Sequence, residues 1–265
     1  MDAYHEVLSP TNTDMTFVGV DWASGLWVTV TLGDDISITT FPSILNVWHD
    51  YKTSAEAILV DIPIGLPESG TRACDRAAKS MLKDRSSTIF SVPGRDIVEI
   101  DDYCDAREAN DDSLGSQSWW LFPRIREVDV FLQEVNGAIN RIYESHPEVC
   151  FAALAGESLQ SKNSEAGVDD RVALLKALDE DLHAEVREFV DERRDDAAWH
   201  HHISKGRIDD VVDAAVLAGT AAKIGLTERD SRADYPALPE TGDRPPEDPV
   251  LDIPMEIVFP GGGVA

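Results

Sequence analysis

Two apolar runs that each end in aspartate constrain this chain more than any other feature. Phe17-Val18-Gly19-Val20-Asp21 and Ala57-Ile58-Leu59-Val60-Asp61 are short, near-continuous stretches of aliphatic and aromatic residues, the pattern of strands buried in a sheet. A third run, Ile139 to Glu144, also ends in an acid. Carboxylates are poor strand formers and costly in a core. Three strand ends carrying them put negative charge at one edge of a sheet, where a bound cation would compensate it.

The runs fall into an order. After Asp21, Ser24-Gly25 marks a turn, Trp27 to Leu32 a second strand, Gly33-Asp34-Asp35 another turn, and Ile36 to Phe41 a third strand. Ile44, Val47, Trp48 and Tyr51 have helical spacing ahead of the Ala57 run. Helices are expected over Thr71–Leu82, Ile125–Val135, Asp169–Leu178, Asp181–Arg194 and Asp209–Ile224, and a last strand-like run over Leu251–Phe259. A meander followed by strand–helix alternation predicts an α/β fold. Its sheet is mixed, a three-stranded antiparallel meander plus parallel strands, with helices on both faces: the ribonuclease-H-like layout. The expected domain spans 15–226, with an irregular insertion around 86–123. Residues 1–14 read as a flexible tail, and 227–265 as a loop or tail that returns with a final strand.

No apolar run approaches the roughly 18–20 residues of a membrane span, and the N-terminus is polar. A cytoplasmic protein with no membrane partner is the expectation. Cys74, Cys104 and Cys150 are far apart, which disfavours a zinc site or a disulfide framework. The net charge is −27, and only seven residues are lysine. Such a balance repels nucleic acid or marks a host that lives in high salt, and the thin spread of acids over every loop favours the second, a halophilic archaeal source. Local departures from the acidic background then carry the information about partners.

Asp209, Asp210 and Asp213 open the last long helix, and spacings of three and four let pairs share one face. Together with Asp21, Asp61 and Glu144 they form an oxygen-rich set of the kind Mg²⁺ and Mn²⁺ prefer. Singly, each acid has an ordinary alternative: a strand-end aspartate caps turns, and Asp209 suits a helix N-cap. His146, in Glu144-Ser145-His146-Pro147-Glu148, is a candidate ligand or proton carrier. His200-His201-His202 reads as loop.

The opposite departure is a basic island. Thr71 to Arg95 holds six basic residues and two acids, +4 in a chain of −27. Arg72, Arg76, Lys79 and Lys83 fall within about 60° of arc on a helix. They read as a phosphate-contacting stripe that Arg95 and Arg124 extend, with Lys162 a further loop cation; a salt-bridged face is the competing reading. Trp119 and Trp120 read as local core rather than a base-stacking pair. No glycine-rich phosphate loop is present.

Taken together, Val18-Gly19-Val20-Asp21, Asp61-Ile62-Pro63-Ile64-Gly65-Leu66-Pro67, Arg72 with Asp75-Arg76, Ser87 through Phe90 with Pro93 and Arg95, Arg126-Glu127-Val128-Asp129, Glu144-Ser145-His146-Pro147-Glu148, Asp209-Asp210-Val211-Val212-Asp213-Ala214 and Pro254-Met255-Glu256-Ile257-Val258 resemble the family named domain of unknown function 429. Arg126 stands where lysine is common. The resemblance implies a ribonuclease-H-like, metal-dependent nuclease or related phosphoryl-transfer enzyme, with Asp21, Asp61, Glu144 and Asp210 or Asp213 as ligands. The expected activity is phosphodiester hydrolysis with two Mg²⁺ or Mn²⁺ ions about 3.5–4 Å apart and nucleic acid as the candidate substrate. The alternatives are a nucleotide-binding phosphotransferase of the same fold and a non-catalytic, metal-stabilised interaction module.

Overall fold

The structure is a computed structural model that describes residues 15–194, 208–229, 234–240 and 245–262. The N-terminal tail through residue 14 and His200-His201-His202 lie outside the described residues. Strands β1 (Thr16–Ala23), β2 (Leu26–Leu32) and β3 (Ser37–Phe41) form the antiparallel meander, and β4 (Ala55–Val60) and β5 (Ile142–Glu144) add to β1 in parallel. The sheet order is β3-β2-β1-β4-β5, so the two aspartate-ended runs lie side by side in its middle. Helices α1 (Ile44–Tyr51), α2 (Ala73–Leu82), α3 (Arg95–Val98), α4 (Tyr103–Ala109), α5 (Ser116–Glu134), α6 (Pro147–Ala155), α7 (Glu165–Leu175), α8 (Glu180–Arg194) and α9 (Ile208–Lys223) complete the described elements with two 3₁₀ turns (Lys83–Thr88 and Ala138–Asn140) and four two-residue strands, β6 (Ala237–Leu238), β7 (Glu247–Asp248), β8 (Ile253–Pro254) and β9 (Ile257–Val258).

Alternation along the strands builds two cores. Phe17, Val28, Val30, Leu59 and Tyr143 face a layer made by α2, α6, α7, α8 and α9. Val18, Val20, Trp27, Ile58, Val60 and Ile142 face α1 and α5. Helix α9 approaches the sheet closely, because its central stretch Ala214 to Ala221, buried throughout, meets β1 with alanines at 214 and 218. It crosses β1 at Gly19, where a Cβ would lie 1.9 Å from the carbonyl oxygen of Ala214 and 2.5 Å from the nitrogen of Ala218. A glycine in this strand is therefore required for backbone-to-backbone contact.

The stretch 86–123, expected to be irregular, holds α3, α4 and the first two turns of α5. Helices α3 and α4 are short, and among the three only α4 has a side-chain cap, Asp102 accepting from the amides of Cys104 and Asp105 at 2.8 and 3.1 Å. Pro123 hides the continuity of α5, although it sits in the helix interior. The final strand-like run is likewise broken into β8 and β9. No helix among the described residues is long and apolar enough to cross a membrane.

Candidate functional site

Parity along the strands decides which acids meet. Asp21 follows Val20 and shares the face of Gly19, and Asp61 follows Val60 and shares the face of Leu59. Both therefore turn toward α9, whose first turns carry Asp210 and Asp213. Asp21 is buried and feels the charges of Asp61, Asp213 and Asp210. Burial first, then those charges, push its carboxyl well above the ordinary range, against the pull of Lys162. Asp61 is raised by burial and by Glu148, with His146 and Lys162 opposing. Asp213 is pushed up to about 6 by burial, then by Asp61 and Glu148, against Lys162. The Lys162 ammonium hydrogen-bonds Asp213 and lies 3.9 Å from Asp209. One cation thus answers several carboxylates.

Glu144 is out of phase with this cluster. It pairs with Val60, not Leu59, yet at the strand end it lines the same pocket as Asp61 and Asp213. Its oxygens accept from Arg72 at 2.6 and 2.7 Å and from the amide of Ile64 at 2.6 Å, while burial pushes it up to about 7 against Arg72. Arg72 is 1% exposed and also grips Asp75 at 2.5 Å. The expectation of Glu144 as a metal ligand beside Asp21 is corrected here: its lone pairs are committed to a buried ion pair.

The basic stripe is corrected too. Arg72 is its buried N-cap, and Lys83 lies beyond the helix with φ of 47°. Arg76 is exposed and folds back onto the Thr71 carbonyl at 2.8 Å, leaving Lys79, which donates to Ser91 at 2.5 Å. Arg95 is held between Asp129 and Asp248, 2.6 Å from the latter, where it ties α3 and α5 to the C-terminal segment. Arg124 stacks 4.3 Å over Trp22, and Lys162 joins the acids instead of a phosphate stripe. Trp119 packs on Phe122 with ring centroids 5.2 Å apart, as expected for core, but Trp120 is 76% exposed, because α5 starts earlier than the spacing alone suggests.

A pocket of about 420 Å³ opens over this edge of the sheet, its lining including Asp61, Glu144, His146, Glu148, Lys162 and Asp213 together with Arg85, Ser87, Thr88 and Phe90. His146 caps α6, and its Nδ1 is buried with no hydrogen-bond partner; the same holds for Oδ1 of Asp213. Glu148 was missed as a site residue. It stands in the first turn of α6, where a carboxylate answers the helix dipole, and both oxygens accept from Arg171 at 2.8 Å. Its place two residues after His146 was the available signal.

As placed, no group of three or more histidine, cysteine, aspartate or glutamate side chains among the described residues is arranged to hold a metal ion; the acids close around Lys162. Their chemistry nonetheless fits one. The donors are all carboxylate oxygens, each is destabilised as an anion by burial first and then by a neighbouring carboxylate, and Asp213 keeps an oxygen unsatisfied.

The fold and site define an α/β protein with a five-stranded mixed sheet and a buried acidic pocket at its parallel edge. Residues 19–241 match the family described as protein of unknown function (DUF429), and the chain belongs to that family. No curated protein and no solved structure matches it.

Proposed function

We propose that the protein is a ribonuclease-H-like, divalent-metal-dependent nuclease that hydrolyses phosphodiesters in this pocket. The observation that carries the reading is the convergence of Asp21, Asp61 and Asp213 from β1, the end of β4 and α9, each raised by burial and, after it, by a neighbouring carboxylate. The sheet order, with a meander at one edge and parallel strands at the other, supports the fold part of the proposal. Asp21, Asp61 and Asp213, with Asp210 beside them, would hold Mg²⁺ or Mn²⁺. The ion would supply a water of lowered pKa and charge for the leaving oxygen. Lys162 is the counter-charge that keeps these acids together without it, and a divalent ion competes with that ammonium for Asp213. His146, whose free Nδ1 lies in the pocket wall, is placed to carry a proton. Arg72, Asp75 and Glu144 form a rigid buried floor.

The test is cleavage of labelled single-stranded, duplex and hybrid nucleic acids with and without Mn²⁺. Cleavage should require the metal and vanish in Asp61→Asn while the melting temperature holds. Activity that survives both chelator and the substitution would exclude this reading.

A further inference from the structure

A phosphodiester entering this acidic pocket gains from a cation besides the metal, and most cations lining it are spoken for. Arg72 is saturated by Asp75 and Glu144, and Lys162 by Asp213. Arg85 differs. It projects from the 3₁₀ turn at 83–88, its side chain is 26% exposed, its Nε is buried with no partner, and its nearest carboxylate oxygen, on Glu148, is 4.0 Å away. The hydroxyls of Ser87 and Thr88 line the same wall.

The pocket also continues. Ile89 and Phe90 line it and a second hollow of about 530 Å³, which holds Thr71, Lys79, Ser91 and Asn110. Helix α5 serves both, giving Gln117 and Leu121 to the first and Ser118 to the second. Each hollow is in the size range of a site for one small ligand, roughly 300–1,000 Å³.

Resting on the nuclease reading, we propose that the two hollows form one groove for a single-stranded phosphodiester chain. Arg85 binds the phosphate at the acidic site, and Lys79 binds a phosphate on the far side of Phe90. A duplex presents its bases inward and its phosphates across a wide cylinder, so it does not thread two small hollows separated by one aromatic side chain.

Fluorescence anisotropy on the full chain, in Ca²⁺ and with probe integrity checked afterwards, tests this with labelled oligothymidylate and oligouridylate, the same strands annealed to their complements, and the mononucleotides as competitors. A single strand should bind at least about tenfold tighter than duplex or mononucleotide. Arg85→Gln and Lys79→Gln, with melting temperatures unchanged, should each weaken it and flatten the slope of log affinity against log salt by about 0.7. Unchanged affinity and slope in both folded variants would overturn the proposal, as would equal binding of duplex or mononucleotide. A strand held through Arg85 but never cut in Mn²⁺ would support the groove and remove the nuclease reading. A strand cut with no dependence on Arg85 would do the reverse.

Discussion

Arg72 and Glu144 show what one side chain decides. Both are buried, and each satisfies the other: the guanidinium bridges β5, the loop after β4 through the Ile64 carbonyl at 3.2 Å, and α2 through Asp75. Removing one member of such a set leaves uncompensated buried charge, which costs about 3–5 kcal/mol. Arg72→Ala should therefore lower stability by about that much in chemical denaturation, and Arg72→Lys should recover only part of it, since an ammonium cannot bridge two carboxylates as a fork does. A loss under about 1 kcal/mol for Arg72→Ala would mean that the pair is not desolvated. The acids at the strand ends were legible as a group because carboxylates after apolar runs need a reason. Their partners were not. Whether Glu144 meets a metal or an arginine depends on a residue 72 positions away, which does not show in local pattern. Arg72 read as exposed because helical spacing describes a face but not which face is buried.

Helix α9 and strand β1 are the pair of elements that make the site. The run from Val211 to Ala221 is buried throughout, so α9 lies flat on the sheet and brings Asp213 over Asp21. That contact depends on Gly19. Gly19→Ala forces a methyl into the backbone of α9 and should cost at least the roughly 1–3 kcal/mol of core overpacking. It should also impair metal-dependent activity beyond what the stability loss explains, because the displaced helix carries an acid. A fully stable, fully active Gly19→Ala protein would contradict this packing. The glycine was visible in Val18-Gly19-Val20-Asp21, as were the small residues of α9, but the two stretches lie far apart in the chain and nothing local ties them. The insertion around 86–123 was harder still. Its short helices owe their form to tertiary anchors, such as Arg126 holding the carbonyls of Val98 and Ile100 at 2.5 and 2.6 Å.

The net charge of −27 belongs to the molecule as a body. Many surface acids are paired, as Asp169 is with Arg187 and Arg194 at 2.7 and 2.8 Å, yet 23 basic residues cannot answer 50 acidic ones. Self-repulsion of this size favours expansion, and salt screens it within about 3 Å at 1 M. If the surface is an adaptation to high salt, the melting temperature should rise steadily from dilute buffer to molar KCl. A fall over that range would mean that specific surface ion pairs, which salt weakens, outweigh the self-repulsion.

Calorimetric titration of Mn²⁺ into the protein tests most directly whether Asp21, Asp61 and Asp213 form a cation site at present answered by Lys162. Burial, and after it the charge of neighbouring carboxylates, raises these carboxyls, Asp213 to about 6, so their anionic forms are disfavoured in the metal-free fold. Protons therefore compete with the ion, and affinity should strengthen as pH rises through about 6, where Asp213 titrates, and keep rising until Asp21, held well above its ordinary range, has also lost its proton. Asp213→Asn should abolish binding. Lys162→Met should strengthen it, since the ammonium no longer competes for Asp213. No saturable Mn²⁺ binding at about pH 7.5, well above the Asp213 titration, in either the unaltered chain or Lys162→Met, would show that Lys162 is a permanent partner and that the acids form a structural ion-pair network rather than a metal site.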